Sequence, residues 1–154
     1  MAKLHRYGEE NTCYHVVTTT RGRDPLFRDP SNAGIVVAAL QHLRRRCYLL
    51  AFAVMPDHVH ALIVPRDDYT SSQIMQGLKG YTSRVLNARA GRRGSVWQQS
   101  FYDRIIRNDK QLWDTIEYVH NNPVAGGLSV IPETYDFSSA GRDSTVDLAE
   151  FFGQ

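Results

Sequence analysis

The feature that most constrains the fold is a pair of apolar runs joined by a tight turn. The first run, YLLAFAVM, covers residues 48–55, and it is followed by Pro56, Asp57 and the second run, HVHALIV, at residues 58–64. Apolar runs of this length around a Pro-Asp dipeptide are typical of buried strands joined by a turn. The chain therefore has to fold around a β-hairpin whose strands lie in the core.

Two histidines open the second strand of this hairpin. Because side chains alternate between the two faces of a strand, His58 and His60 point to the same face, followed on that face by Leu62 and Val64. An apolar strand with two imidazoles at one end is typical of a core strand that carries a functional site at its edge. Two imidazoles are a workable pair of metal ligands, but one core histidine and one exposed histidine is an equally good interpretation of the spacing.

The remaining patterns predict helices between further strands. The predicted strands are 12–20 and 95–107, and the predicted helices are 30–46, 70–90, one that begins at Asn108 or Asp109 and ends before Pro123, and a short helix or tail near 145–152. The third helix is expected to bury Leu112, Trp113, Ile116 and Val119. This order of elements predicts an α+β fold of the ferredoxin-like sort, with an antiparallel sheet and helices packed mainly on one face.

Length and composition predict one domain over residues 1–154, with residues from about 141 onward as a tail or short helix. No apolar run approaches the roughly 18–20 residues of a membrane helix, and the first ten residues lack the apolar segment of a signal peptide. Cys13 and Cys47 are the only cysteines, and their apolar neighbours favour free thiols in a reducing cytosol. We therefore expect a cytoplasmic protein that has no membrane partner.

Basic charge is concentrated in the middle of the chain. Residues 79–110 contain eight Lys and Arg against two Asp, whereas residues 111–154 contain one Arg against seven acids. Such a block favours binding to a polyanion over a merely solvated face, and aromatic residues among the cations can stack on bases. The side chains expected to contact nucleic acid are Lys79, Arg84, Arg92, Arg93, Trp97, Arg104 and Arg107.

Three known kinds of histidine site are excluded by missing residues. A zinc deaminase needs a Glu two residues after its His and a Pro-Cys-x-x-Cys motif, but position 60 is His and the cysteine pair is absent. A histidine-triad nucleotide hydrolase needs a third His where Leu62 stands, and no helical His-Glu-x-x-His motif occurs. His15, on the first predicted strand, is expected to face either a DNA phosphate or a hydrogen-bond partner within the sheet.

A tyrosine and an asparagine share one side of the third predicted helix. Tyr118 and Asn122 lie four residues apart in IEYVHNNP, residues 116–123. A tyrosine at such a position is more often a packing residue. Next to two histidines and a basic block, however, its phenol can attack a phosphodiester when a divalent cation polarises the phosphate. Tyr81 and Tyr102 rank lower as nucleophiles because neither has an amide residue four positions later.

Taken in order, these motifs resemble those of the HUH endonucleases. PDHVHALI is similar to their His-hydrophobic-His signature, and the set resembles the single-tyrosine HUH transposases, above all the REP-associated tyrosine transposases. The resemblance extends from about His15 to about Ala140. The motifs that carry it besides PDHVHALI are YHVV at 14–17, QGLKGYTSRVLN at 76–87, VWQQSFYDRIIR at 96–107 and IEYVHNNPV at 116–124.

The resemblance implies a ferredoxin-like fold, Mg²⁺ or Mn²⁺ bound by His58 and His60, and Tyr118 as the nucleophile. It also implies cleavage and rejoining of single-stranded DNA through a 5′-phosphotyrosine link, with DNA hairpins recognised near the cut. In related insertion-sequence transposases a Gln one turn after the tyrosine is the third metal ligand. Asn122 takes that position here, with His120 as the alternative. Many relatives are homodimers, whereas the REP-associated group includes monomers.

Two other functions are consistent with the same residues. A nucleic-acid-binding module can retain the fold without cutting, although such a module would not need His58, His60 and Tyr118 together. A metal-dependent hydrolytic nuclease would use water in place of tyrosine and would tolerate loss of the Tyr118 hydroxyl. The sequence favours a DNA-nicking and strand-transfer enzyme of the transposase type over both.

Overall fold

An antiparallel sheet of four strands forms the centre of the protein, in the order β2-β3-β1-β4. The computed structural model describes residues 11–153. Its strands are β1 (Cys13–Thr19), β2 (Cys47–Val54), β3 (His58–Pro65) and β4 (Tyr102–Ile106), and its helices are α1 (Pro30–Leu43), α2 (Ser71–Ala90), α3 (Asp109–Ala125) and α4 (Leu148–Phe152). The predicted α+β class and order of elements are confirmed, and this strand order is that of a ferredoxin-like sheet.

The predicted hairpin is formed by β2 and β3. Val54 lies opposite Val59, and the Met55 amide donates to the His58 carbonyl at 2.8 Å, which closes the turn around Pro56 and Asp57. The apolar side chains of β3 alternate between the two faces of the sheet, as the sequence predicts. Those on each face belong to a different core cluster. His58 therefore begins a strand that is apolar on both faces.

Helices cover both faces of the sheet rather than mainly one. On one face, α1 and α2 pack on Val59, Ala61 and Ile63, and on the other α3 and α4 pack on Leu62 and Val64. A strand that is apolar on both faces has to be covered on both, so the composition of β3 explains this arrangement. Within residues 11–153, no helix is long and apolar enough to cross a membrane.

Side chains predicted to cap the helices do so. Asp29 accepts a hydrogen bond at the start of α1, and Thr70 and Gln73 form a reciprocal capping box at the start of α2. At α3 the cap is Asn108, whose side-chain oxygen accepts from the Gln111 amide at 2.9 Å. These bonds satisfy backbone donors that the first helical turn leaves without partners.

The prediction that Pro123 ends α3 is wrong. The helix continues to Ala125, and the Gly126 amide still donates to the Asn122 carbonyl at 2.9 Å. A proline removes one backbone donor, and in the final turn of a helix few later bonds depend on that donor. The third helix therefore carries Asn122 inside its last turn.

Trp113 is not on the buried side of α3, contrary to the prediction. Leu112, Ile116 and Val119 are buried, whereas Trp113 is half-exposed and its ring stacks on Phe152 with centroids 5.5 Å apart. Its neighbour Leu112 already occupies the sheet-facing position, and consecutive helical residues do not share a face. Trp113 therefore joins α3 to the terminal helix.

Both cysteines are free and buried. Burial raises the pKa of the Cys13 thiol to about 12. The pKa of the Cys47 thiol is also raised to about 12, first by burial and then by the Asp147 carboxylate, against the opposing effect of Arg66. Thiols that stay protonated are poor nucleophiles and poor metal ligands, so the two cysteines act as apolar core residues.

One buried carboxylate fastens the C-terminal segment to the sheet. Asp147 accepts from the Arg44 guanidinium at 2.8 and 3.0 Å and from the Leu49 amide at 2.9 Å. We expect Asp147→Asn to lower the free energy of unfolding by about 2–3 kcal/mol, less than a fully buried pair because Arg44 is partly exposed. Urea denaturation measures this loss.

The matched control for that variant is Asp136→Asn. Asp136 pairs with Arg142 on the surface, and exposed pairs contribute little to stability, so this change should leave the urea midpoint nearly unchanged. Equal midpoints for the Asp147 variant and the unaltered protein would contradict the structural role of Asp147.

Candidate active site

Strand register gathers polar side chains on the sheet face beneath α3. Directly paired residues of an antiparallel sheet share a face. Val17 pairs with His60 on one side and with Tyr102 on the other. His15 of β1 likewise pairs directly with Arg104 of β4, so these two side chains share a face. Polar side chains from β1, β3 and β4 therefore face α3 together.

Tyr118 reaches this group from α3. Its ring meets the His60 ring edge-on, with centroids 5.7 Å apart, and the His15 ring at 6.2 Å. The three rings line a cavity of about 400 Å³ together with Tyr102 and Arg104. One chain thus supplies both the histidines and the tyrosine of the site.

Each histidine of the β3 pair has its Nδ1 atom engaged. The His58 Nδ1 lies 2.7 Å from Oδ1 of Asp57, and the His60 Nδ1 lies 2.9 Å from Nε2 of His15. The centroids of the His58 and His60 rings are 5.0 Å apart. Since metal–imidazole bonds are about 2.1 Å long, rings this close can bind one ion, and Nε2 is the atom that each has left for it.

His15 and His60, the two buried histidines of the site, are uncharged near neutral pH. Burial lowers the pKa of His60 to about 3, with further contributions from His15 and His58. The pKa of His15 is lowered to about 4 by burial and by the positive charge of Arg104. A neutral imidazole has one nitrogen lone pair that can bind a metal ion or accept a hydrogen bond, so these rings can act as a metal ligand and as a hydrogen-bond acceptor.

Burial alone would raise the pKa of the Asp57 carboxyl, but hydrogen bonds and charges from His58 and Arg23 outweigh it, so the pKa is lowered. Asp57 is therefore an ionised acceptor at neutral pH. In metal sites, the histidine nitrogen that does not bind the metal commonly donates a hydrogen bond to a carboxylate. The carboxylate fixes the orientation of the ring and makes the ring more basic.

The two candidates for a third metal ligand have different surroundings. Asn122 lies one turn after Tyr118, is partly buried, and its side chain makes no hydrogen bond to another residue of the described part of the chain. His120 instead bonds through Nε2 to Oγ of Ser139 at 2.7 Å. Residues 11–153 contain no group of three or more His, Cys, Asp or Glu side chains suited to a metal ion. The site therefore offers two imidazoles, with Asn122, one helical turn after the tyrosine, as the amide candidate for a third ligand.

The predicted nucleic-acid contacts do not lie on one surface. Arg104 lines the cavity with Tyr118, and Arg107 is exposed just after β4. Arg84 is exposed beside a groove between α1 and α2, on the opposite face of the sheet. Arg92 and Arg93 are exposed beyond α2. Only Arg104 of this set is within the cavity that holds the tyrosine.

Lys79 has a structural partner. Its ammonium group donates to the carbonyl of Gln98 at 2.7 Å and approaches those of Gln99 and Ser100 at 3.2 and 3.4 Å. Burial lowers its pKa. Lys79 therefore holds the segment that leads into β4.

The expectation that Trp97 forms a stacking platform is wrong for this structure. Trp97 is 2% exposed, packs on Phe27 with centroids 5.4 Å apart, and donates its indole N–H to Oγ1 of Thr82 at 2.9 Å. A ring enclosed in the core presents no face to a base. The exposed aromatic residues at the cavity are instead Tyr102 and Tyr118.

His15 is the site residue that the sequence left open. The sequence predicts either a DNA phosphate or a partner within the sheet beside it, and the structure identifies a sheet partner, His60. The period-two alternation of β1 carried a signal, since it places His15 and Val17 on one face. The neighbours of His15 and Val17 on that face depend on the order of the strands in the sheet, which β1 alone does not determine.

Comparison with known proteins identifies relatives of this chain. It is 28% identical over 109 residues to a Haemophilus influenzae protein described as a candidate REP-associated tyrosine transposase, covering 64% of this chain and 62% of that protein. It is 30% identical over 94 residues to the Escherichia coli REP-associated tyrosine transposase, covering 60% of this chain and 54% of that one. The chain thus spans between half and two thirds of these relatives.

A solved structure has the same fold. It is that of a REP-associated tyrosine transposase bound to a REP hairpin, with a TM-score of 0.71, 23% identity, and coverage of 93% of this chain and 85% of the other. The profile of the family described as "Transposase IS200 like" matches residues 9–122, which include the β3 histidines and Tyr118. The chain therefore belongs to the IS200-like transposase family.

Proposed function

We propose that this protein is a transposase that nicks and rejoins single-stranded DNA, with Tyr118 as its nucleophile. The observation that carries the proposal is the contact of the Tyr118 ring with His60 and His15 in one open cavity. Membership of the IS200-like family supports the same reaction class. The tyrosine and both histidines belong to one chain, so the proposal does not require a second copy.

In the proposed reaction, the Tyr118 oxygen attacks the phosphorus of the scissile phosphodiester. The bond from phosphorus to the 3′ oxygen breaks, and the 5′ phosphate becomes esterified to the tyrosine. The phenol proton passes to solvent, and the departing oxygen takes up a proton to become a 3′ hydroxyl. One phosphodiester replaces another, so a second 3′ hydroxyl can reverse the step and rejoin the strand.

His58 and His60 would hold a divalent cation, Mg²⁺ or Mn²⁺, through their Nε2 atoms, with the Asn122 amide as a third protein ligand. When bound, the cation would polarise the phosphate and stabilise its developing negative charge. The donor set fits this role because both Nδ1 atoms are already engaged, and Asn122 has an uncommitted side chain. Phosphate and water oxygens, which these ions prefer, would complete the coordination.

The proposed substrate is single-stranded DNA that carries a hairpin. The solved relative bound to a REP hairpin supports this substrate class. Arg104 inside the cavity can pair with the phosphate that Tyr118 attacks, because a guanidinium binds phosphate oxygens with two parallel hydrogen bonds. The exposed cations Arg84, Arg92, Arg93 and Arg107 can contact the backbone farther from the cut.

The test uses purified protein and single-stranded oligonucleotides from both flanks of its own gene. Each oligonucleotide is labelled at its 5′ or its 3′ end and incubated with Mg²⁺, Mn²⁺ or a chelator before a denaturing gel. We expect a metal-dependent protein–DNA band that contains the 3′ label and not the 5′ label, because the tyrosine retains the 5′ phosphate of the downstream fragment.

Matched duplex oligonucleotides serve as the control and should give no such band. Metal-dependent cleavage without a protein-linked fragment would favour a hydrolytic nuclease. Binding to the labelled oligonucleotides in fluorescence anisotropy, without cleavage under any of these conditions, would favour a non-cutting DNA-binding module.

A further inference from the structure

We infer that His15 is a positioning residue, which holds the His60 ring in the orientation and tautomer that present Nε2 to the divalent cation. The inference rests on the proposed function, because the cation is part of it. Its basis is the 2.9 Å contact between Nε2 of His15 and Nδ1 of His60. Both rings are buried, with 7% and 5% of their surface exposed, so the contact between them is largely shielded from solvent.

The hydrogen bond between His15 and His60 is compatible with cation binding only when His60 is the donor. A hydrogen bond between two neutral imidazoles needs one N–H donor and one lone-pair acceptor. If His60 donates from Nδ1, its Nε2 has a lone pair for a metal. If His15 donates instead, the proton of His60 is on Nε2 and that atom cannot bind a cation. The acceptor role of His15 therefore selects the binding form of His60.

The acceptor is held on a rigid element. His15 lies in the middle of β1, and the register that pairs Val17 with His60 places His15 diagonally across from His60 on the same face. The two rings lie nearly parallel, with centroids 5.2 Å apart and an angle of 19° between them. A sheet position varies less than a loop position, so the His60 ring is fixed before a cation arrives.

Different acceptors suit the two histidines of the pair. His58 is at the partly exposed turn, and its acceptor is the Asp57 carboxylate. His60 is deep in the sheet, where an ionised carboxylate would carry a large desolvation cost. A neutral imidazole supplies a lone pair without a buried charge. This explains why a third histidine, rather than an acid, stands at position 15.

The test compares His15→Phe with His15→Gln in the full-length protein. Phe retains the ring shape and has no acceptor, whereas the Gln amide oxygen can occupy the place of Nε2. Long-range ¹H–¹⁵N spectra of the metal-free protein report the His60 tautomer, and calorimetry reports Mn²⁺ affinity. We expect Nδ1–H on His60 in the unaltered protein, loss of that preference in His15→Phe with about 10–100-fold weaker Mn²⁺ binding, and substantial recovery in His15→Gln.

Either of two results would overturn the inference: a proton on Nε2 of His60 in the unaltered metal-free protein, or Mn²⁺ affinity in His15→Phe equal to that of the unaltered protein. Thermal melts show whether each variant is folded, and the spectrum of the unaltered protein is decisive even if a variant is not. Failure of the proposed function is distinguishable, since a protein that fails to nick DNA can still show the expected tautomer and the predicted loss of Mn²⁺ affinity.

Discussion

Replacing Tyr118 with Phe should abolish the covalent protein–DNA product and leave DNA binding almost unchanged. The substitution removes only the hydroxyl group, so the ring can keep its contacts with His60 and His15. No other atom of the side chain can attack phosphorus. Because the residue is 56% exposed, the variant should also be as stable as the unaltered protein. A denaturing gel measures the covalent product, and fluorescence anisotropy with a labelled hairpin measures binding.

Tyr102→Phe is the matched control for this variant. Tyr102 lines the same cavity and is 59% exposed, so the two substitutions remove the same group from similar environments. We expect the Tyr102 variant to form the covalent product. A Tyr118 variant that still became linked to DNA would contradict the assignment of the nucleophile. Undiminished cleavage without a link, in both variants, would favour attack by water.

The histidine pair illustrates what local sequence can predict about this site. A strict period of two and a Pro-Asp turn were enough to place His58 and His60 on one face at the start of a core strand. Tyr118 was predicted on a helix, and that helix was found. The partnership of His15 with His60 was not predictable in the same way, because β1 and β3 are neighbours in the sheet but far apart in sequence.

The aromatic residues show where such reasoning fails. Trp97 lies among cations in the sequence, but it precedes β4 and points into the core, where Thr82 provides a partner for its indole N–H. Trp113 sits beside the apolar stripe of α3, and its position depended on the terminal helix that carries Phe152. Sequence proximity to charge or to a stripe does not fix the direction of a side chain; tertiary packing does.

Removing either histidine of the β3 pair should reduce nicking by about 10³-fold or more, because a metal ion that stabilises the phosphate contributes several kcal/mol to the transition state. Mn²⁺ binding measured by calorimetry should be lost in both His58→Ala and His60→Ala. His120→Ala is the control, since His120 bonds to Ser139 and not to this group, and it should retain both nicking and Mn²⁺ binding.

The same two variants should differ in stability, which separates the roles of the two rings. The His58 side chain is 21% exposed and lies at the turn, so its removal leaves no enclosed void. His60 is buried against His15 and Tyr118, and His60→Ala should lower the free energy of unfolding by about 1–3 kcal/mol through the cavity and the unpaired His15 nitrogen. Urea denaturation measures this difference. If both variants bound Mn²⁺ with the affinity of the unaltered protein, the histidines would not be its ligands, and Tyr118 would have to act without a cation held by β3.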